Sequence, residues 1–232
     1  MSITDSVLDS VNNPPRELKM ATEHMDGMCR AYNYGGWIPM GRWLWHHIIE
    51  EEKAENIFPG QKVLELGSGS GSSTLSWSYA GYPIIGIELE ERLASTSKRA
   101  LLEYKKLQKA PLKIITGSYY PKEYIEDRNN NLHEHIKRLE AEQYGKRSPE
   151  QISATFMPVC DIDVYKRESI NISDFDIVFG FFWPHQLPSI YHMFLQYARN
   201  DAVLFAIGNN NQDIATRMGL KTSKSKSNVF RK

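Results

Sequence analysis

From residue 62 onward, short apolar runs alternate with longer segments whose apolar residues recur every three or four positions. KVLEL (62–66) reads as a strand, and the segment after it reads as a helix to about Ala80, where Gly81 stops it. PIIGIEL (83–89) is a second strand. ERLASTSKRALLEYKKLQK (91–109) is a long helix with Leu93, Ala100, Leu101, Tyr104 and Leu107 at helical spacing. Pro111 ends that segment, and LKIIT (112–116) is a third strand. FDIVFGFFW (175–183) is almost unbroken in its apolar character, as a strand covered on both faces requires. LPSIYHMFLQYAR (187–199) then reads as a helix and AVLFAIG (202–208) as another strand.

Alternation of this kind predicts parallel βαβ units, hence an α/β fold with a doubly wound, mostly parallel sheet. The expected domain is single, spanning 1–232, with an N-terminal helical cover over 1–40. Helices are expected at 3–11 and 16–31, broken by Asn13-Pro14-Pro15. GWIPMGRW (36–43) reads as a loop, and 41–56 as a helix with Trp45, Ile48 and Ile49 on its apolar stripe. Residues 118–173 interrupt the rhythm, being far longer than an ordinary connection. NLHEHIKRLEAEQY (131–144) is amphipathic, and SPEQ (148–151) carries an N-cap serine, a first-turn proline and a capping-box glutamine. This stretch is expected to be an inserted helical subdomain between the third and fourth strands. Such insertions either shape a substrate pocket or decorate the surface.

Composition narrows the function. Lys+Arg and Asp+Glu are both 28, so the formal net charge is zero, which disfavours a general nucleic-acid binder. The two cysteines, Cys29 and Cys160, form no CxxC pair, so neither a disulfide framework nor a zinc site is expected, and a cytoplasmic setting fits. No apolar run approaches the ~18 residues of a membrane span. MSITDSVLDS lacks the basic start and apolar stretch of a signal peptide. Homodimerisation is left open.

The chemistry concentrates in VLELGSGSGSST (63–74). At Gly67, Gly69 and Gly71 a Cβ would block the turn or the approach of a ligand, and the helix that follows offers unpaired N–H groups. A dinucleotide fingerprint is GxGxxG, but Ser72 stands where its third glycine or alanine would be. Glu65 at the loop would also repel a pyrophosphate and suit a cationic ligand. Glu88, seventeen positions after Gly71, can accept the hydroxyls of a ribose.

With these residues the chain resembles the class I S-adenosylmethionine-dependent methyltransferases. Their first motif, [D/E]-x-G-x-G-x-G, is matched by ELGSGSG (65–71), and their strand-end acid by Glu88 in IGIELEE. The resemblance covers roughly 41–117 and resumes at 174–208. It implies S-adenosylmethionine as cofactor, with Gly67, Ser68, Gly69 and Gly71 along its methionine and ribose portion. Glu65 is then near the amino group, Glu88 on the ribose and Leu89 beside it. The family often places an acid or amide after the third strand to read the adenine. Here Gly117-Ser118 stands in that place, so Ser118 contacts adenine through its hydroxyl or its backbone N–H, and Tyr119 stacks near the adenine or the substrate.

The fourth strand ends in FGFFWPHQLP (179–188), where the resemblance places the reacting methyl group. Phe181, Phe182 and Trp183 can wall it, with a cation–π contribution of ~1–2 kcal/mol; core packing is the competing role for Phe182. His185 is the candidate general base, with helix capping or solvent exposure as the alternative. His46, His47 and His192 sit within predicted helices. FFWPH does not match the [N/D]-PP-[Y/F] motif of the amine-methylating members. Asp161 and Asp163 have ligand spacing but no third partner, so a solvated loop is their expected setting and no metal is expected. Tyr34, Trp37 and Arg42 are candidates for a lid, and the basic tail LKTSKSKSNVFRK for a closing β-hairpin or a frayed end. The resulting expectation is in-line methyl transfer to an oxygen, nitrogen or sulfur of a small molecule. The alternatives are aminocarboxypropyl transfer, a scaffold that binds the cofactor without turnover, and a nicotinamide oxidoreductase.

Overall fold

A computed structural model of the chain describes residues 15–31, 49, 62–129, 134–144, 163–207, 212–222 and 229–232. The expected helix at 3–11, the loop at 36–43, the SPEQ cap and the lid candidates Tyr34, Trp37 and Arg42 lie outside them. So do His46, His47, Cys160 and Asp161. Of the expected helix at 41–56, only Ile49 is described, and it is helical and buried.

The chain divides into two compact units, residues 1–116 and 117–232. In the first unit, helix α1 (Arg16–Ala31) precedes β1 (Val63–Leu66), α2 (Ser72–Tyr79), β2 (Ile84–Glu88), α3 (Glu91–Glu103) and β3 (Leu112–Thr116). The strands are parallel in the order β3-β2-β1, with Glu65 opposite Gly86 and Glu88 opposite Thr116. Every residue of β1 is buried, as its unbroken apolar run around Glu65 demands. Leu18, Ala21 and Met25 of α1 pack with Leu75, Ala94, Ala100, Leu101 and Ile114 into one core. The expected long helix stops at Glu103. Tyr104 leaves helical geometry, and the amide of Gln108 donates to the Leu101 carbonyl, satisfying the end after a single 3-10 turn at Lys105–Leu107.

The second unit contains α4 (Lys122–Asn129), α5 (Glu134–Tyr144), α6 (Val164–Glu168), β4 (Ile177–Phe181), α7 (Leu187–Tyr197), β5 (Val203–Ile207), α8 (Gln212–Arg217), β6 (Lys221–Thr222) and β7 (Val229–Arg231). Strands β4 and β5 are parallel, while β7 runs antiparallel to both β5 and β6. The tail therefore forms the closing antiparallel pair. Phe179 meets Phe205 across the strands at 5.6 Å, and Tyr191 of α7 meets Phe230 at 5.1 Å. Seven strands, mostly parallel and alternating with helices, make the doubly wound α/β class expected from the pattern. Helices α4, α5 and α6 fall within the 118–173 segment, as an inserted helical stretch requires. No helix among the described residues is long and apolar enough to cross a membrane.

Candidate functional site

The glycine loop begins where β1 ends. Gly67 and Ser68 both donate their backbone N–H to the carbonyl of Ile87, at 2.9 and 3.0 Å, which folds the loop back over the end of β2. Gly67, Gly69 and Gly71 all have positive φ, at 81°, 54° and 78°, a conformation that side chains with a Cβ disfavour. At Gly71 a Cβ would also meet Ile114 at 3.0 Å and Met25 at 3.2 Å. Gly71 is the N-cap of α2 and supplies no side-chain cap, so the helix begins with backbone donors turned to the loop.

Two carboxylates flank this loop, and both are buried. Glu88 accepts the Gly69 N–H at 2.7 Å on one oxygen and the Glu90 N–H at 3.0 Å on the other. Burial raises its pKa, and these backbone bonds oppose the rise. Glu65 lies below the start of α2, where its two oxygens accept the hydroxyls of Ser73 and Thr74. Burial pushes its carboxyl up to about 8, with the two hydroxyl bonds pulling it down and Glu88 adding to the rise. Thus Glu65 is set into the floor, joined to the helix by hydroxyls, rather than standing open at the loop. Ser68 is buried against Gly86, where its Oγ has no hydrogen-bond partner among the described residues. Leu89, next to Glu88, is exposed.

A third acid arrives from α1. Ser70 Oγ donates to Asp26 at 2.6 Å, and Asp26 is buried. One turn on, Cys29 is fully buried; burial pushes its thiol up to about 12, with Asp26 and Glu88 adding to the rise. Ser97 of α3 closes the ring of contacts by donating to the Gly69 carbonyl at 2.6 Å. Asp26 and Ser97 were not among the expected site residues. The signal for Asp26 was present: Leu18, Ala21, Thr22, Met25, Asp26 and Cys29 form one stripe at helical spacing, and an acid in a buried stripe needs a purpose. The buried charged residues of this unit are all acids; no lysine or arginine is buried among the described residues.

The remaining predicted residues belong to the second unit. Ser118 is buried and accepts the Tyr120 N–H at 3.1 Å, so its hydroxyl shapes the turn after β3. Tyr119 is nearly buried. Its carbonyl accepts the Tyr165 hydroxyl at 2.7 Å, and its own hydroxyl accepts a weak bond from Gln186 at 3.4 Å. Phe182 donates its N–H to Ile207 and is 1% exposed, so it belongs to the core. That extra rung beside β5 turns its ring inward. Trp183 is the contrast, with 38% of its surface open. Its backbone N–H donates to Gln186 Oε1 at 3.0 Å, and its ring stands edge-on to Phe181 at 6.3 Å. Pro184–Gln186 forms one 3-10 turn, and it sinks His185. Burial lowers the imidazole to about 4, so it is neutral near pH 7. Gln186, bonded to both Trp183 and Tyr119, was not anticipated. His192 packs on Tyr124 at 5.7 Å. Asp163 caps α6 by accepting from the N–H groups of Tyr165 and Lys166, which accounts for that acid as a helix cap. Among the described residues no group of three His, Cys, Asp or Glu could hold a metal ion.

No family model and no curated protein matches the chain. Solved structures do. Cofactor-bound Rv0187 from MTB is 12% identical with a TM-score of 0.50, covering 98% of this chain and 93% of its own. A putative caffeoyl-CoA O-methyltransferase from Staphylococcus aureus is 11% identical with a TM-score of 0.50, covering 98% of both chains. An O-methyltransferase from Bacillus cereus in complex with SAH is 14% identical with a TM-score of 0.48, covering 99% of this chain and 95% of its own. The Staphylococcus aureus structure shows that this chain has the class I methyltransferase fold.

Proposed function

We propose that a chain with this fold and this loop is an S-adenosylmethionine-dependent methyltransferase acting on a small molecule. The observation that carries the reading is the glycine loop closed on Glu88: three glycines at positive φ, one of them donating to the carboxylate that ends β2. The donor set suits a cationic adenosine cofactor. Asp26 and Glu88 are buried acids beside the loop, and among the described residues no buried lysine or arginine stands ready for a pyrophosphate. Gly67 to Gly71 and the first N–H groups of α2 would hold its methionine portion, and Glu88 and Leu89 its ribose. When bound, the cofactor supplies a methyl group already activated by the sulfonium charge.

What the chain must add is modest: binding, orientation, exclusion of water and a place for one proton. Glu88 accepts the Gly69 and Glu90 N–H groups on its two oxygens, with the Leu89 N–H as a further donor, and the acceptor capacity that remains is open to a ribose hydroxyl. Trp183 offers an exposed aromatic face to an apolar or planar acceptor. His185, neutral, takes the proton that an O–H, N–H or S–H acceptor gives up as its new bond to carbon forms. The preference for a small acceptor rests on the zero net charge and on this aromatic strand end.

Calorimetric titration with S-adenosylhomocysteine, with NAD in parallel, tests the cofactor. Micromolar binding of the first alone is the expected result; binding of NAD alone would return the chain to the oxidoreductases. Incubation with S-adenosylmethionine and candidate small acceptors, read by product mass, tests the transfer. A gain of about 14 mass units per acceptor marks methyl transfer, whereas a gain of about 101 marks aminocarboxypropyl transfer and overturns the reaction assigned here.

A further inference from the structure

Three helices of the second unit surround an open cavity of ≈ 400 Å³, within the roughly 300–1,000 Å³ of small-molecule sites. Helix α5 contributes Arg138, Leu139 and Glu142. Helix α7 contributes His192 and Leu195, and the end of α8 contributes Arg217 and Met218. The walls are tied together. Glu140 of α5 accepts the Ser189 hydroxyl of α7 at 2.5 Å, and both residues are buried. Arg217 reaches across from α8 to Glu142 of α5 at 3.1 Å and lies 3.9 Å from Asp213. Two polar bridges thus hold the three helices around a space that their side chains do not fill.

The lining has a sense of charge. Leu139, Leu195 and Met218 make an apolar surface, and of the two arginines in the lining Arg217 is met by both Glu142 and Asp213, which leaves Arg138 as the cation that faces the space. Glu142 is already engaged by Arg217, while no ion pair among the described residues involves Arg138. Its guanidinium is exposed, with a planar fork of donors suited to a carboxylate. A dianion would meet Glu142 across the same space, so a single negative charge fits better than a phosphate.

We propose that this cavity is a binding site for a small apolar monocarboxylate, with its carboxylate on Arg138 and its body on Leu139, Leu195 and Met218. This assigns the long segment between β3 and β4, which supplies α5, a ligand of its own. The site stands whether or not the glycine loop takes S-adenosylmethionine, because none of its residues belongs to that loop.

Octanoate is the probe, titrated calorimetrically into the full chain at pH 7.5, with 1-octanol and octylamine as controls of the same length. Octanoate should bind saturably at one site with a dissociation constant of about 1 mM or below, and both controls at least tenfold more weakly. Arg138→Ala should weaken octanoate at least tenfold while leaving the melting temperature unchanged, since the side chain is exposed and makes no ion pair among the described residues. Leu195→Asp should abolish binding and leave 1-octanol without a site. Equal binding of octanoate and 1-octanol would reduce the cavity to an apolar surface. Unsaturated binding at 10 mM, on the order of the weakest specific affinities, or an unchanged affinity in Arg138→Ala, would each overturn the proposal.

Discussion

The two loop carboxylates differ in what surrounds them, and that difference is measurable residue by residue. Glu88 is held by backbone donors at the end of a strand, with lone pairs to spare. Glu88→Ala should weaken S-adenosylhomocysteine binding at least tenfold, about 1.4 kcal/mol, in a calorimetric titration; unchanged affinity would remove its ribose role. Glu65 matters in another way. Its carboxyl, raised from an ordinary 4.5 to about 8, keeps a proton in the folded chain that the unfolded chain has lost. Folding therefore takes up a proton between pH 4.5 and 8, and its contribution to stability falls as pH rises through that window. Thermal melts of the ligand-free protein should show this decline, and Glu65→Gln should flatten it. A decline of the same slope in the variant would place the proton elsewhere. His185 is sunk but neutral above about pH 5, since burial lowers it to about 4. His185→Ala should cut turnover well beyond any change in cofactor affinity, and the wild-type rate should hold level from pH 6 to 8. Equal turnover in both proteins would make His185 a packing residue.

At the scale of elements, β2 and α2 are fitted together around a glycine that the loop motif does not include. A Cβ at Gly86 would stand 2.7 Å from the Cβ of Ser68 and 3.2 Å from the Thr74 hydroxyl that serves Glu65. Gly86→Ala should cost about 1–3 kcal/mol in urea unfolding, and should weaken cofactor binding by lifting Ser68; a neutral change would show that the loop has slack. Sequence pattern found these elements because their periods are strong. The expected strands at β1, β3, β4 and β5 and the expected helix at 16–31 are all present in the fold. What pattern could not foresee was set by tertiary partners. The 91–109 helix ends early because a glutamine side chain offers its end a donor. Asp163, expected in a solvated loop, is a helix cap, a role visible only once α6 has formed. Phe182 and Trp183 are neighbours of similar character, yet one more strand bond buries the first and leaves the second open. The glycines were legible because positive φ has few substitutes. The stripe of α1 could mark Asp26 as buried, but its partner Ser70 and the contact of Gln186 with Tyr119 are distant in sequence, and no local motif announces those.

For the whole molecule, a zero net charge removes long-range steering, and recognition is left to local groups. A cofactor that binds the folded chain alone must also stabilise it. S-adenosylhomocysteine at 100 times its dissociation constant should add about 2.7 kcal/mol and raise the melting temperature, while NAD should leave it where it was. Cys29 extends this to kinetics. A fully buried thiol pushed up to about 12 is almost wholly un-ionised at neutral pH, and an alkylating reagent cannot reach it while α1 stays docked. In a Cys160→Ser background, the alkylation rate of Cys29 therefore becomes a chemical clock for the departure of α1 from the glycine loop. Each labelling event counts one opening of the first unit.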